Sequence, residues 1–242
     1  MGSRVTACGG ISEISTRFTL LSPGSFEHDI VGQAPTLPGG IMQTPSLLDR
    51  QDIRQHVRHL RRNLTPEQQE QAADLLAEHA INFAPIANAL RIALFLSVDG
   101  EINTRPLIAK LWQQKKQVYL PVLHPFAPGH LLFLRYTPET SLTPNKLRIP
   151  EPPLDITQMA TLDQLDVMLV PLVAFDHQGQ RLGMGGGFYD RTLQHWQQHG
   201  FLPMGIAHDC QRVETLPVAA WDVPLPAILT PSKLWQWDNE EL

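Results

Sequence analysis

The chain holds only two cysteines, Cys8 and Cys210. That number excludes a disulfide framework and a cysteine-rich zinc module, and it fits a reducing compartment. No apolar run approaches the roughly 20 residues that a bilayer-spanning helix requires. Basic residues are not in excess: 19 Lys and Arg stand against 24 Asp and Glu, for a formal net charge of −5. Nonspecific nucleic-acid binding normally shows a clustered basic surplus, so neither nucleic acid nor membrane is expected as a partner. No internal repeat is visible. A hydrophobic fraction of 43% over 242 residues is ordinary globular composition with material for a substantial core. Together these features describe a soluble, cytoplasmic protein.

Residues 1–48 differ from the rest. They are rich in Gly, Ser, Thr and Pro, with few charges and no sustained period. They lack the basic and then apolar order of a signal peptide, and they are not an Arg-rich transit peptide. This stretch is expected to be a disordered extension, and an upstream start is one explanation, since Met42 lies near the first periodic sequence. A folded regulatory arm is the alternative. Residues 49–242 are expected to form a single α/β domain.

From residue 47 to 64 the apolar residues Ile53, Val57, Leu60 and Leu64 recur at helical spacing beside a basic stripe of Arg50, Arg54, Arg58 and then Arg61 or Arg62. Thr65, Pro66 and Gln68 form a capping-box start for a second helix. Strands are expected at 91–97, 117–122, 131–136, 165–170, 203–208 and 227–230, with helices at 104–116 and 190–199. Buried apolar strands alternating with helices imply an open, mostly parallel sheet flanked by helices on both faces. In such sheets ligands bind beyond the carboxyl ends of the strands.

The most informative stretch lies at one of those ends. Residues 171–193 read PLVAFDHQGQRLGMGGGFYDRTL, with Gly183, Gly185, Gly186 and Gly187 just before a helical pattern. Glycine lets backbone N–H groups approach an anion closely. The pattern is neither a Walker A loop nor G-x-G-x-x-G. On glycines alone, a tight strand-to-helix connection explains it equally well. Arg181, Tyr189, Asp190 and Arg191 favour a phosphate site: a guanidinium grips phosphate, an aromatic stacks and a carboxylate can hold Mg²⁺. Arg50 and Arg54 at i, i+4 suit a polyphosphate, or else are a solvated basic face. Glu101, at a strand end in SVDGEINT, could accept from the amine and amide donors of a heterocycle, or could simply complement a helix dipole. The histidine pairs at 56/59 and 195/199 read as helix surface. His208-Asp209-Cys210 offers a weak nucleophile pattern with no second feature behind it. A sugar-phosphate isomerase, a CoA-transferase-like enzyme and a non-catalytic nucleotide sensor all remain compatible with the loop by itself.

The run Phe175-Asp176, Gly179, Arg181-Leu182-Gly183, Gly185, Gly187-Phe188-Tyr189-Asp190-Arg191 closely resembles the signature of the 5-formyltetrahydrofolate cyclo-ligase family. The Arg50 and Arg54 helix start, FLSVDGEINT, YLPVL and WDVPLP extend the resemblance from about residue 49 to 237. It implies a NagB/RpiA-like α/β sheet in a monomer, and an ATP- and Mg²⁺-dependent conversion of 5-formyltetrahydrofolate into 5,10-methenyltetrahydrofolate, releasing ADP and phosphate, with no protein nucleophile. It further implies that Arg50, Arg54 and the loop Arg181, Leu182, Gly183, Met184, Gly185, Gly186, Gly187, Phe188 and Tyr189 contact ATP. Leu96, Glu101 and the loop from Met184 to Phe188 would contact the folate, and Asp190 and Asp222 would be the Mg²⁺-associated carboxylates. Many members carry basic residues where this chain has Met184 and Gly186. Phosphate neutralisation is therefore expected to rest more on Arg50, Arg54, Arg181, backbone N–H groups and Mg²⁺.

Overall fold

A computed structural model describes residues 49–237, so the composition-based reading of residues 1–48 lies outside the described residues. The helices are Arg50–Arg62 (α1), Pro66–Asn82 (α2), Ala84–Asn88 (α3), Arg105–Gln113 (α4), Phe188–Leu193 (α5) and Trp196–His199 (α6). The strands are Arg91–Ala93 (β1), Gln117–Leu123 (β2), Leu131–Tyr136 (β3), Thr143–Pro144 (β4), Pro150–Glu151 (β5), Met159–Ala160 (β6), Val167–Pro171 (β7), Ala174–Phe175 (β8), Arg181–Leu182 (β9), Leu202–Ile206 (β10), Ala227–Leu229 (β11) and Leu234–Gln236 (β12).

Eight strands form one sheet in the order β12-β11-β10-β7-β1-β2-β3-β6. The central five, β11 to β2, pair in parallel, while β12, β3 and β6 join antiparallel at the two edges. The side-chain period of two splits each central strand between two cores. Val167 and Leu169 of β7 face one side with Leu76 and Ala80 of α2, Ile86 of α3 and Leu107 and Leu111 of α4. Met168 and Val170 face the other with Leu193 of α5, Phe201 and the partly buried Trp196 of α6. Both faces are covered, which is why the parallel strands are apolar throughout.

Local chemistry explains several boundaries. The capping box at α2 is closed: Gln68 N–H donates to Thr65 Oγ1 at 3.2 Å and Thr65 N–H to Gln68 Oε1 at 2.9 Å. Thr104 behaves otherwise, because its hydroxyl donates to the Phe95 carbonyl at 2.7 Å instead of capping α4. That bond also bears on β1. The strand expected over residues 91–97 leaves the ladder after Ala93, apart from one bond from Leu94 N–H to Tyr119 O. Phe95 O spends its acceptor on a threonine instead of a neighbouring strand. Leu94, Phe95 and Leu96 stay buried and carry the chain out to a turn at 98–101.

The helix expected over residues 190–199 is two short ones, separated at His195, whose φ of −133° is non-helical, and ended by Gly200 at φ +79°. Helix α1 also differs from its sequence period. Ile53 and Val57 are buried as expected, but the next buried position is Arg61, while Leu60 is exposed. Steps of four along the helix run 53, 57, 61, so the core stripe ends in a guanidinium.

Sequence order along the sheet runs outward from β1 in both directions: toward β2 on one side, and toward β7, β10 and β11 on the other. The carboxyl ends of β1 and β7 therefore flank the switch point where such sheets open a crevice.

Candidate active site

Helix α1 lies over that crevice. Ile53 and Val57 pack on Val173, Ala174, Leu182 and Leu216, which belong to the segment after β7 and to the loop after β10. Burying two such side chains contributes about 1.5–3 kcal/mol each, enough to fix the helix and the charges it carries. Its opposite ends serve two groups of partners.

At the first end, Arg50 grips Asp222 with both terminal nitrogens, Nη1 to Oδ2 at 2.5 Å and Nη2 to Oδ1 at 2.9 Å, and Nη1 also donates to Pro217 O. Asp222 accepts a further bond from Ala219 N–H at 2.7 Å. Burial works to raise the Asp222 carboxyl, but the bonds from Arg50 and Ala219 and the nearby charges of Arg50 and Arg181 outweigh it and hold it below the usual range. One turn along α1, Arg54 Nε donates to Gly183 O at 2.8 Å.

The glycine stretch is reached through a hairpin with Asp176 and Gly179 at the first and last positions of its turn. Strands β8 and β9 pair antiparallel and close over Asp176, whose buried carboxylate accepts from the N–H groups of Gln178, Gln180 and Leu216. Gly179 completes the turn at φ +78°, where a Cβ would lie 2.7 Å from Leu225 O. Residues 183–187 then lead into α5. Among the described residues, none of the five N–H groups of this loop donates a hydrogen bond. Gly185 and Gly187 hold positive φ, at 100° and 67°. Gly186 is open on one side only, since a Cβ there would lie 2.7 Å from the Phe188 ring. Arg191 ties the loop to the hairpin between β2 and β3 by donating to Gly186 O and Gly129 O. Because α5 has only six residues, its dipole is modest, and the unpaired N–H groups are the stronger attraction for an anion.

Arg181 is almost fully buried and its Nη2 pairs with Asp190 Oδ1 at 2.5 Å. Burial lowers this guanidinium, opposed by Asp190, Asp222 and Tyr189. Arg50, Arg181, Asp190 and Asp222 are thus one charge cluster under the glycine loop.

Asp190 and Asp222 differ in capacity for a metal. Both oxygens of Asp222 are engaged, whereas Asp190 Oδ2 has no partner among the described residues. Mg²⁺ keeps several waters and takes one or two carboxylates with substrate phosphates. Asp190 Oδ2 is thus open to such an ion, whereas Asp222 has both oxygens committed to Arg50 and Ala219. Among the described residues no three His, Cys, Asp or Glu side chains converge as an all-protein metal cage.

At the other end of α1, Arg58, Arg61 and Arg62 all bind the carboxylate of Asp99, in the turn after β1. Two residues on, Glu101 is buried and accepts from Val98 N–H at 3.1 Å. Burial raises its carboxyl to about 7, opposed by the Val98 bond and the Arg61 charge. The Tyr189 hydroxyl lies near enough to both Glu101 and Arg181 to be influenced by each, and burial raises it above its usual value. Met184 is half exposed, with its sulfur 4.0 Å from Arg61 Nη2.

Not every residue singled out in the sequence offers its side chain to the crevice. Leu182 is buried beneath α1, and Leu96, 7% exposed, belongs to the larger core. Their contribution is chiefly backbone position. His208 is buried, and burial and Arg61 lower it to about 4. The Cys210 thiol is raised by burial. A neutral imidazole beside a protonated thiol on a 3-10 turn, Asp209–Gln211, is no activated nucleophile. Asp99 and the buried role of Arg61 were missed in the sequence. The Asp-Gly pair before Glu101 was the available signal.

A mostly parallel sheet covered on both faces, with an arginine-flanked glycine loop at its switch point, defines an open α/β protein with a crevice edged by guanidiniums and backbone N–H groups. Residues 47–231 match the 5-formyltetrahydrofolate cyclo-ligase family, and the chain belongs to that family of folate ligases. It is 56% identical over 181 residues to the 5-formyltetrahydrofolate cyclo-ligase of Escherichia coli (strain K12), covering 75% of this chain and all of that one. The Haemophilus influenzae 5-formyltetrahydrofolate cyclo-ligase is 54% identical over 180 residues, 74% of this chain and 96% of the relative. The solution structure of Aquifex aeolicus 5,10-methenyltetrahydrofolate synthetase superposes with a TM-score of 0.68 at 27% identity, over 80% of this chain and 95% of that one.

Proposed function

We propose that this protein joins N5 and N10 of 5-formyltetrahydrofolate through the formyl carbon, at the expense of ATP, to give 5,10-methenyltetrahydrofolate, ADP and phosphate. The observation that carries the reading is the hydrogen bond from Arg54 to Gly183, since it brings an α1 arginine onto a loop whose N–H groups, among the described residues, donate no hydrogen bond. Phosphates seated there would meet Arg50, Arg54 and the N–H groups of residues 183–187, with Leu182, Phe188 and Tyr189 framing the nucleotide. Mg²⁺, held by Asp190 and through water by Asp222, would supply charge neutralisation on the phosphates.

The γ-phosphoryl group passes to the formyl oxygen, which makes that oxygen a leaving group. N10 then attacks the activated carbon, and inorganic phosphate and the N10 proton depart as the ring closes. Such transfers depend on positioning and electrostatics more than on a protein nucleophile, in keeping with the inert environment of His208 and Cys210. Glu101, with the loop from Met184 to Phe188 and the backbone at Leu96, would orient the pterin ring by accepting from its amide and amine donors. The protein is read as a cytoplasmic monomer that needs no further partner.

The experiment is an absorbance assay of the full chain with Mg·ATP and 5-formyltetrahydrofolate, following methenyltetrahydrofolate near the ultraviolet–visible boundary. An ATP-dependent rise is expected. Folded protein giving no ATP-dependent signal would remove the assignment.

A further inference from the structure

The turn at 98–101 presents Glu101, and an aspartate governs it. Asp99 and Gly100 have φ of 55° and 76°, and Glu101 N–H donates to Val98 O at 3.0 Å. Two positive φ values across a closed four-residue turn are the signature of type I′, for which Asp-Gly is a favoured pair. Gly100 also lies against α1, where a Cβ would be 3.3 Å from Arg61 O. Val98 N–H takes one oxygen of Glu101, Oε2. The other, Oε1, has Arg61 Nη2 at 3.9 Å, too far for a hydrogen bond.

Arg61 is wholly buried and near enough to close that gap. Asp99 holds it back on two atoms: its main-chain oxygen accepts from Arg61 Nε at 2.8 Å, and Oδ2 accepts from Nη2 at 2.9 Å. The same carboxylate binds Arg58 and Arg62. Burial pushes Asp99 upward, but the three guanidiniums hold it below the usual carboxylate range, so it stays charged. Three cations therefore spend their charge on Asp99, two residues before a Glu101 oxygen that accepts no hydrogen bond among the described residues.

We infer that Asp99 is a positioning residue for the folate: by engaging Arg58, Arg61 and Arg62 it keeps Glu101 Oε1 free to accept from a pterin ring. The inference rests on the proposed function, because that reading supplies the pterin. Without the Asp99 carboxylate, Arg61 becomes a buried cation lacking its partner, and the nearest carboxylate is Glu101. A closed Arg61–Glu101 pair would occupy Oε1 and would have to open before a ligand could bind. The charged and titratable groups around Glu101 are Arg61 from α1, Asp99 from its own turn and Tyr189 from α5, with His208 beyond Arg61.

The test is calorimetric binding of 5-formyltetrahydrofolate and, separately, of a non-hydrolysable ATP analogue to the full chain and to its Asp99→Asn and Asp99→Gly variants. Asn and Gly both accept left-handed backbone, so a shared effect belongs to the lost carboxylate. Folate binding is expected to weaken about tenfold in both, with the ATP analogue changed less than about twofold. Arg61→Lys is an independent arm if the Asp99 variants fold poorly: a lysine cannot bridge both Asp99 oxygens with one fork, and folate binding should weaken there too. Unchanged folate affinity in the folded variants overturns the inference, as does equal weakening of both ligands. Wild-type protein that binds no 5-formyltetrahydrofolate overturns the proposed function itself, a result separable from the first two.

Discussion

Arg54 and Gly183 are 129 residues apart in sequence and 2.8 Å apart in space, the guanidinium Nε donating to the main-chain oxygen. The bond aims one edge of Arg54 at the loop and leaves its terminal nitrogens without a hydrogen-bond partner among the described residues. Gly185 stands against the same guanidinium, its absent Cβ 3.7 Å from Nη2. One edge of the guanidinium is thus held by the loop while the other stays open among the described residues.

Arg54→Ala is accordingly expected to raise the KM for ATP by about ten- to a hundredfold, with a fall in Tm of only a few degrees. Arg54→Lys should recover part of the loss, since a lysine keeps the charge without the planar fork. Steady-state kinetics and a thermal melt check both. A wild-type KM for ATP in Arg54→Ala would remove α1 from the nucleotide site.

Asp190→Asn should show two effects. Turnover should fall strongly and its response to Mg²⁺ titration should shift, because the free carboxylate oxygen is lost. Arg181 also loses the charge it pairs with while remaining buried, at a cost of about 1–3 kcal/mol in stability. Denaturant unfolding separates the two contributions. An unchanged Mg²⁺ response would leave Asp190 only its structural role.

Glu101 gives stability a pH dependence. Its folded-state value of about 7 lies above the ordinary 4.5, so the fold prefers the protonated form. The corresponding stability is fully present below pH 4.5 and is lost as pH rises through 7. At 1.36 kcal/mol per pH unit this amounts to roughly 3 kcal/mol. Glu101→Gln is expected to flatten that slope, so that above about pH 8 the variant is more stable than the parent while binding folate poorly. Urea unfolding across pH tests this, and parallel slopes for parent and variant would contradict it. Asp222 acts in the opposite sense: its carboxyl is lowered, and the stability it confers is lost as pH falls below the ordinary value of 3.8.

Truncation before Met42 should leave Tm and turnover unchanged. The family match begins at residue 47, beyond the truncated segment. A large loss in either measurement would assign the extension a structural part.

Local features were legible where local chemistry suffices. The Thr65–Gln68 capping box, the alternation of apolar strands with helices and the glycine run before Phe188 need only neighbouring residues to specify them. The break at His195 was not legible, because no glycine or proline marks it. Nor was the end of β1, which depends on Thr104 reaching back nine residues to the Phe95 carbonyl. For the site, residue types were readable but partnerships were not. A basic helix face reads the same whether it is wet or engaged, and here one end grips Asp222 while the other converges on Asp99.

The sequence by itself determined the fold class and the glycine-loop pattern, which follow from period and spacing, and the family, through the resemblance of its motifs. Tertiary structure alone decided which charge meets which. It put Arg61 on the buried stripe of α1 in place of Leu60, left Asp190 with a free oxygen while using up both oxygens of Asp222, and buried Glu101 beside a cation already claimed by Asp99. The physical reason is that ion pairing and burial depend on distance through space, which a chain fixes only when α1 packs across the carboxyl ends of β1 and β7.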